Sequence, residues 1–465
     1  MSGLYDKLEQ YSKSDFYGFH MPGHKRNTER FGQVLPYGMD ITEIEGFDDL
    51  HHAEEIIKSA QERAAYLYKA QETHFLVNGS TVGILSAIIG TTKRGDKILV
   101  ARNCHKSVYN AIYLNGLVPI YVYPEYKKDL QINGAVSAED IRKAIRQNPD
   151  IKAVILVSPT YDGVLSDVEK ISKIVHEMRI PLIVDEAHGA HFGFHPYFPD
   201  NSNTKGADIV IHSVHKTLPA LTQTALLHMN GDIIDRDKVK SYLHILQSSS
   251  PSYILMASID HCMEMLEKER TEIFDPYVEQ IQKLRRELKE MQHLEILQTK
   301  EFDRSKFIIS TRNADITSGE LYEILLKKYH LQMEMKAGTY VLAMTTVGDT
   351  EEGFKRMKQA LFEIDRSCHV KEKNIPVELP QLPLAYTNGE INEKKQNNEE
   401  ILPWQEAIGK IATEYAYVYP PGIPLVVPGE RMTQEAVNVL DLYMELGFSV
   451  EGIHVEKHIG VLKNG

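Results

Sequence analysis

Two stretches of this sequence, IPLIVDEAHGAHFG (180–193) and ADIVIHSVHKTLPALTQ (207–223), put an acid and a lysine where both could do chemistry. Asp185 closes one apolar run, and Lys216 lies just past the end of the next. Runs of this kind form buried strands, and neighbouring parallel strands would bring both side chains to the carboxyl edge of one sheet, where α/β proteins bind ligands. A lysine amine can hold an aldehyde as an imine. A carboxylate opposite it can keep a pyridine nitrogen protonated, so that the ring accepts electrons.

That pairing is what pyridoxal 5'-phosphate (PLP) requires, and the cofactor's phosphate needs a seat as well. NGSTVG (78–83) lies between the strand-like THFLV and a helical stretch. Ser80, Thr81 and the backbone N–H groups that follow can therefore meet an anion at a positive helix end. Ser213 and His215, beside Lys216, can add donors. His105 in VARNCHKSVYNA follows another strand-like run and could lie flat over a cofactor ring, and Thr160 in VSPTYDG could reach the ring's phenolic oxygen.

The elements that must position these groups alternate along the chain. THFLV, KILVA (97–101), VPIYVYP (118–124), AVILVSP (153–159), IPLIVDEA (180–187) and ADIVIHS (207–213) read as strands separated by helical or polar segments. Near-continuous Val/Ile/Leu runs indicate an α/β fold with a large, mostly parallel sheet buried on both faces. Amphipathic helices and the strands KFIIS and TYVLAMTT follow and suggest a smaller α+β domain. The expected organisation is an N-terminal arm (1–45), a large domain (46–270), a small α+β domain (271–386), a flexible polar connector (387–400) and a C-terminal subdomain (401–465).

The chain has 465 residues, is 42% hydrophobic and carries a formal charge of −13 with a pI near 5.9. Such a balance argues against a nucleic-acid surface, which needs a basic stripe. Cys104, Cys262 and Cys368 are too widely spaced for a zinc knuckle or a disulfide framework and read as reduced thiols. No apolar run approaches the ~20 residues of a membrane span, so a cytoplasmic protein is expected.

Other readings are available. DEAH also marks helicases, but these need a G-x-x-x-x-G-K-[ST] loop, which this chain lacks. A metal-dependent hydrolase could draw ligands from His20/His24, His51/His52 or Asp185/His188/His191; the expectation here is no metal. Asp40, Glu43, Asp48 and Asp49 in DITEIEGFDDL, and Glu430 in VPGE, either meet a substrate's distal cation or cap helices and pair with surface lysines. A transaminase would share the lysine and the acid, and would usually add an arginine fork for the α-carboxylate.

Taken in order, HMPGHK, TEIEGFDDLHH, NGSTVG, RNCHKSV, PTYDG, DEAHGAHFG, HSVHKTLPALTQ, SSSPSYILMAS and YPPGIPLVVPGE resemble the Orn/Lys/Arg decarboxylases of the aspartate-aminotransferase fold, in the short bacterial form without a wing domain. The resemblance runs from residue 19 to about 430. It implies PLP on Lys216, Asp185 as partner of the pyridine nitrogen, His105 stacked on the ring, and His188 beside it. Ser80, Thr81, Ser213 and His215 become phosphate ligands. It further implies decarboxylation of a basic amino acid, arginine first and lysine or ornithine next. It also implies a homodimer whose FHMPGHK arm, DDLHH segment and SSSPSY segment serve the neighbour's site. The family often has proline where this chain has Glu45 and Ala53.

Overall fold

The computed structural model describes residues 13–20, 23–25, 27–31, 40–371, 378, 380–418, 423–445 and 448–464. The arm and the YPPGIPLVVPGE motif therefore lie partly outside the described residues.

Seven strands form the central sheet: β1 (Glu72–Leu76), β2 (Lys97–Ala101), β3 (Val118–Val122), β4 (Ile151–Val157), β5 (Leu182–Asp185), β6 (Ile209–His212) and β7 (Ala225–Met229). They run side by side in the order β1-β7-β6-β5-β4-β2-β3. All neighbours are parallel except β7, which is antiparallel to both β1 and β6. The apolar runs explain the arrangement, because Leu99, Val100, Ile155, Val184 and Ile211 are buried between helices that cover both faces. The sequence reading missed β7, whose five residues follow Thr222–Thr224 without a strong turn signal.

Register sets the chemistry. Asp185 pairs with Val157 on one side and Ile211 on the other, which puts it at the carboxyl end of β5. The chain leaves β6 into a short helical turn, Val214–Thr217, that carries Lys216.

Behind this edge, Glu186 accepts from Ser202 and lies 2.7 Å from His212; His212 lies 2.9 Å from His228, which lies 2.7 Å from Thr73. The network pairs the polar groups of the core, as burial demands.

A second sheet holds β8 (Glu295–Leu297), β9 (Lys306–Ser310), β10 (Met335–Ala337) and β11 (Tyr340–Met344). The arm strand Tyr17–Phe19 pairs in parallel with Leu331–Met333 beside it. The helix Tyr253–Glu287 crosses position 270, the boundary read from sequence, and its backbone turns non-helical at Glu269.

The polar stretch 387–400 differs from the expected connector. Asn388–Lys394 is a helix closed by a Thr387/Glu390 capping box, and Glu399–Pro403 is a strand. Reciprocal capping satisfies end groups that composition alone assigns to water.

Candidate active site

A cavity of about 330 Å³ opens at the carboxyl edge of the central sheet. Ser80, Thr81, Asn103, His105, Thr160, Asp162, Asp185, His188, Ser213, His215 and Lys216 all face it. Every residue expected to be catalytic or to bind the cofactor is thus brought together.

Each is placed by its element. Ser80 and Thr81 open the helix Gly79–Thr91, whose N-cap Asn78 makes no side-chain capping bond. The first N–H groups of that helix therefore face the cavity mouth without a side-chain acceptor from Asn78. Gly79 has φ +73, a conformation that favours glycine, and it turns the strand sharply into the helix. Ser80 Oγ and Ser213 Oγ are in direct hydrogen-bond contact across the two loops.

His105 caps the next helix, Lys106–Asn115, accepting at Nδ1 from the Ser107 N–H at 3.3 Å. Burial, reinforced by Lys216 and Lys106, pushes its pKa down to about 4, so the ring is neutral at pH 7. His215 is likewise pushed down to about 4, chiefly by burial, and its Nδ1 is 2.8 Å from the Thr224 carbonyl.

Asp185 Oδ1 accepts from the Ala187 N–H at 3.1 Å. Burial raises this carboxyl, and Lys216 opposes the rise. The Lys216 amine is itself lowered, first by burial, with Asp185 and Glu334 pulling it back. Lys216 Nζ lies 3.0 Å from His188 Nε2, and the other face of that imidazole, Nδ1, lies 3.0 Å from Lys306 Nζ. Tyr161 packs on the same ring with centroids 4.5 Å apart. Thr160 Oγ1 accepts from the Val164 N–H, which shapes the PTYDG turn.

Three carboxylates expected as substrate contacts are engaged elsewhere in this chain. Glu430 is fully buried and ion-paired with the equally buried Arg102 at 3.1 Å, and it accepts from the Val427 N–H. Arg102 also donates to the carbonyls of Pro424 and Leu425, so the pair clasps the C-terminal segment to the end of β2. Asp48 accepts from the N–H groups of Asp49, Glu54, Glu55, Ile57 and Lys58 and caps the entry to helix Ile56–Tyr68. Asp49 caps the turn Leu50–His52 and pairs with His52. Sequence cannot separate such caps from substrate ligands, because the partners are backbone groups fixed only by the fold. Truncating Glu430 to alanine should leave Arg102 uncompensated and cost about 3 to 5 kcal/mol in urea unfolding. The KM of the surviving folded enzyme should stay near wild type; a selective rise in KM would return Glu430 to the substrate.

Two of the candidate metal ligands have hydrogen-bond partners within the chain. His191 Nε2 lies 3.1 Å from Asp303, and His51 Nε2 lies 2.8 Å from the Ser248 carbonyl. The arm segment around Gly23 packs on this chain's own site, since the Gly23 N–H donates to the His215 carbonyl at 2.6 Å. A Cβ on Gly23 would meet Leu218 backbone at 2.5 Å.

Residues 2–314 match the major domain of the Orn/Lys/Arg decarboxylases, and residues 379–453 match their C-terminal domain. The chain belongs to the Orn/Lys/Arg decarboxylase family. Arginine decarboxylase from Bacillus subtilis (strain 168) is 33% identical over 97% of this chain and 95% of its own length. The protein of the same name from Bacillus anthracis is 32% identical over 97% of this chain and 94% of its own. The lysine decarboxylase LdcF of Francisella novicida superposes with a TM-score of 0.79 at 19% identity, covering 98% of this chain and 80% of that one. Family membership makes the chain an amino acid decarboxylase, a carbon–carbon lyase, and displaces the transaminase and metal-hydrolase alternatives.

Lys306 was not anticipated. Its only signal is a lysine that opens the otherwise apolar strand KFIIS.

Proposed function

We propose that the protein decarboxylates a basic amino acid with PLP held on Lys216, and that arginine is its preferred substrate. The observation that carries this reading is one cavity holding a lowered lysine amine and a raised, buried carboxylate at the same sheet edge. The donor set suits the cofactor. Asp185 would face the pyridine nitrogen, and the neutral His105 ring would stack on the pyridine. Ser80, Thr81, Ser213 and His215 would take the phosphate at the helix end, and Thr160 would serve the phenolic oxygen. When bound, PLP supplies the electron sink into which the pair from the broken Cα–carboxylate bond passes.

The chain's own groups do the rest. A protonated pyridine nitrogen would offset the burial penalty of Asp185 and keep it ionised. His188, in contact with Lys216, holds the amine in place. The described residues that line the cavity include no arginine that would oppose loss of the α-carboxylate. Among the described residues no helix is long and apolar enough to cross a membrane. The three cysteines are buried and free, which suits a reducing cytoplasm.

A homodimer with shared sites accounts for the acidic string. Ile44 and Phe47 are about half exposed, alongside the exposed Asp40, Glu43 and Glu45. The segment abuts the SSSPSY loop through the hydrogen bond from Tyr253 Oη to the Asp48 carbonyl, and that loop reaches the site through the bond from the Ser248 N–H to Asn78 Oδ1. The exposed acids would then serve the distal cation of a substrate bound in the neighbouring subunit.

The test is competition among arginine, lysine, ornithine and citrulline, with amine products identified by mass. Losing one partner of a partly dry, hydrogen-bonded ion pair costs about 2 to 5 kcal/mol, so citrulline should fall behind arginine by roughly 30-fold or more in kcat/KM. Equal use of both would remove the anionic pocket. Release of a 2-oxo acid without CO₂ would replace the decarboxylase with a transaminase.

A further inference from the structure

Of the described residues that line the cavity, two carry carboxyl groups, Asp185 and Asp162. Asp185 would face the pyridine nitrogen, which leaves Asp162 without a task. Its place is fixed from two sides. The PTYDG turn is closed by bonds from the Thr160 N–H to the Val164 carbonyl at 2.8 Å, from the Gly163 N–H to the Thr160 carbonyl at 2.9 Å, and from the Val164 N–H to Thr160 Oγ1 at 3.0 Å. Gly163 has φ +100, and a Cβ there would come within 2.9 Å of Lys306 Cγ, so the turn favours glycine beside the aspartate. From the second sheet, Tyr340 at the start of β11 donates its hydroxyl to Asp162 Oδ1 at 2.5 Å.

A carboxyl group held in this way would ordinarily have a cation. Asp162 is 8% exposed, yet among the described residues it makes no ion pair, and its hydrogen bond is the one from Tyr340, so Oδ2 is left to the cavity. Other buried carboxylates are satisfied: Glu430 pairs with Arg102, and Glu186 accepts twice from Ser202 and contacts His212. The cavity's own lysine, Lys216, is in contact with His188 instead. Burial raises the Asp162 carboxyl to about 6, against the Tyr340 bond and the charge of Lys306, so it is mostly ionised at pH 7. A buried anion with one neutral donor is costly, and a cation brought to it removes that cost. Beside it Tyr161, whose hydroxyl donates to Glu334, lines the same cavity, and a guanidinium packs well on an aromatic ring.

We infer that Asp162 is the specificity-determining residue within this chain: its Oδ2 accepts from the distal guanidinium or ammonium of a basic amino acid, with the Tyr161 ring as the wall beside it. The inference rests on the proposed function and names the anion which that function needs. It supplies a partner for the distal cation in a chain whose Asp48, Asp49 and Glu430 are engaged elsewhere. A guanidinium carries five N–H donors, so Asp162 uses part of the fork and leaves the rest to the acids of a neighbouring subunit.

Asp162→Asn removes the charge and keeps an oxygen that can accept from Tyr340. Calorimetry on the holoenzyme compares agmatine with N-carbamoylputrescine, its neutral urea isostere. The wild type should bind agmatine at least ~10-fold more tightly than the neutral probe. Asp162→Asn should weaken agmatine at least ~10-fold and the neutral probe by less than about threefold. A smaller loss for agmatine overturns the inference, as does the absence of any preference in the wild type. An equal loss for both probes also overturns it, because it marks a carboxylate that only shapes the turn. If Asp162→Asn does not fold, the crystal structure of the wild-type holoenzyme with agmatine decides alone: a guanidinium nitrogen within about 3.5 Å of Asp162 Oδ2 supports the inference, and none that close overturns it. The proposed function is decided separately, by CO₂ release. None from arginine, lysine or ornithine would remove that function and leave these binding constants to decide the role of Asp162.

Discussion

Lys216→Ala is expected to fold, to lose at least ~1000-fold in kcat, and to retain no cofactor after borohydride reduction, because the only lysine among the described residues that line the cavity is gone. Folding should survive. Lys216 sits on the short turn Val214–Thr217, and its side chain is in hydrogen-bond contact with His188. The informative control is the second lysine. Lys306 Nζ is as close to His188 as Lys216 Nζ is, but its side chain is sealed from solvent and does not line the cavity. Peptide mapping of the reduced wild-type protein should place the pyridoxyl group on the Lys216 peptide. A label on the Lys306 peptide would exchange the roles of the two lysines.

The contrast between these lysines shows what could be read from the sequence. Six of the seven central strands announce themselves as Val/Ile/Leu runs, and the placement of Asp185 and Lys216 follows once such runs are laid parallel. β7 was hidden because Ala225–Met229 is antiparallel to both neighbours, with no helix crossover to frame it. Lys306 was hidden for a different reason. Its neighbours come from the PTYDG turn and the DEAH loop, and nothing local shows that a strand-opening lysine points inward.

The acids divide in the same way. Asp185 is legible because its position at a strand end is a consequence of chain pattern. Asp48, Asp49 and Glu430 look equally available in sequence, but their bonds go to backbone groups or to an arginine distant along the chain. The T-N-G-E string at 387–390 did carry a readable signal, the spacing of a capping box, inside a segment whose polar composition suggested a connector.

Asp185→Asn should keep the cofactor on Lys216 and lose roughly 100- to 1000-fold in kcat. The substitution is nearly isosteric, and a side-chain oxygen can still accept from the Ala187 N–H, so the loop that holds the site should keep its shape. What disappears is the charge that would hold a proton on the pyridine nitrogen. In a buried site that loss is worth a few kcal/mol, which corresponds to the stated range. The pH profile supplies an independent reading. Burial raises the Asp185 carboxyl above its ordinary value, with Lys216 pulling the other way, so the ionised fraction falls as pH drops. Cofactor uptake by the wild-type apoenzyme, in which no pyridine nitrogen yet offsets the burial of Asp185, should therefore show an acid limb displaced upward from the normal carboxylate range. That limb should be absent from cofactor uptake by Asp185→Asn, because the amide does not titrate. Near-normal turnover in the variant, or an acid limb that persists unchanged, would show that another group governs the electron sink.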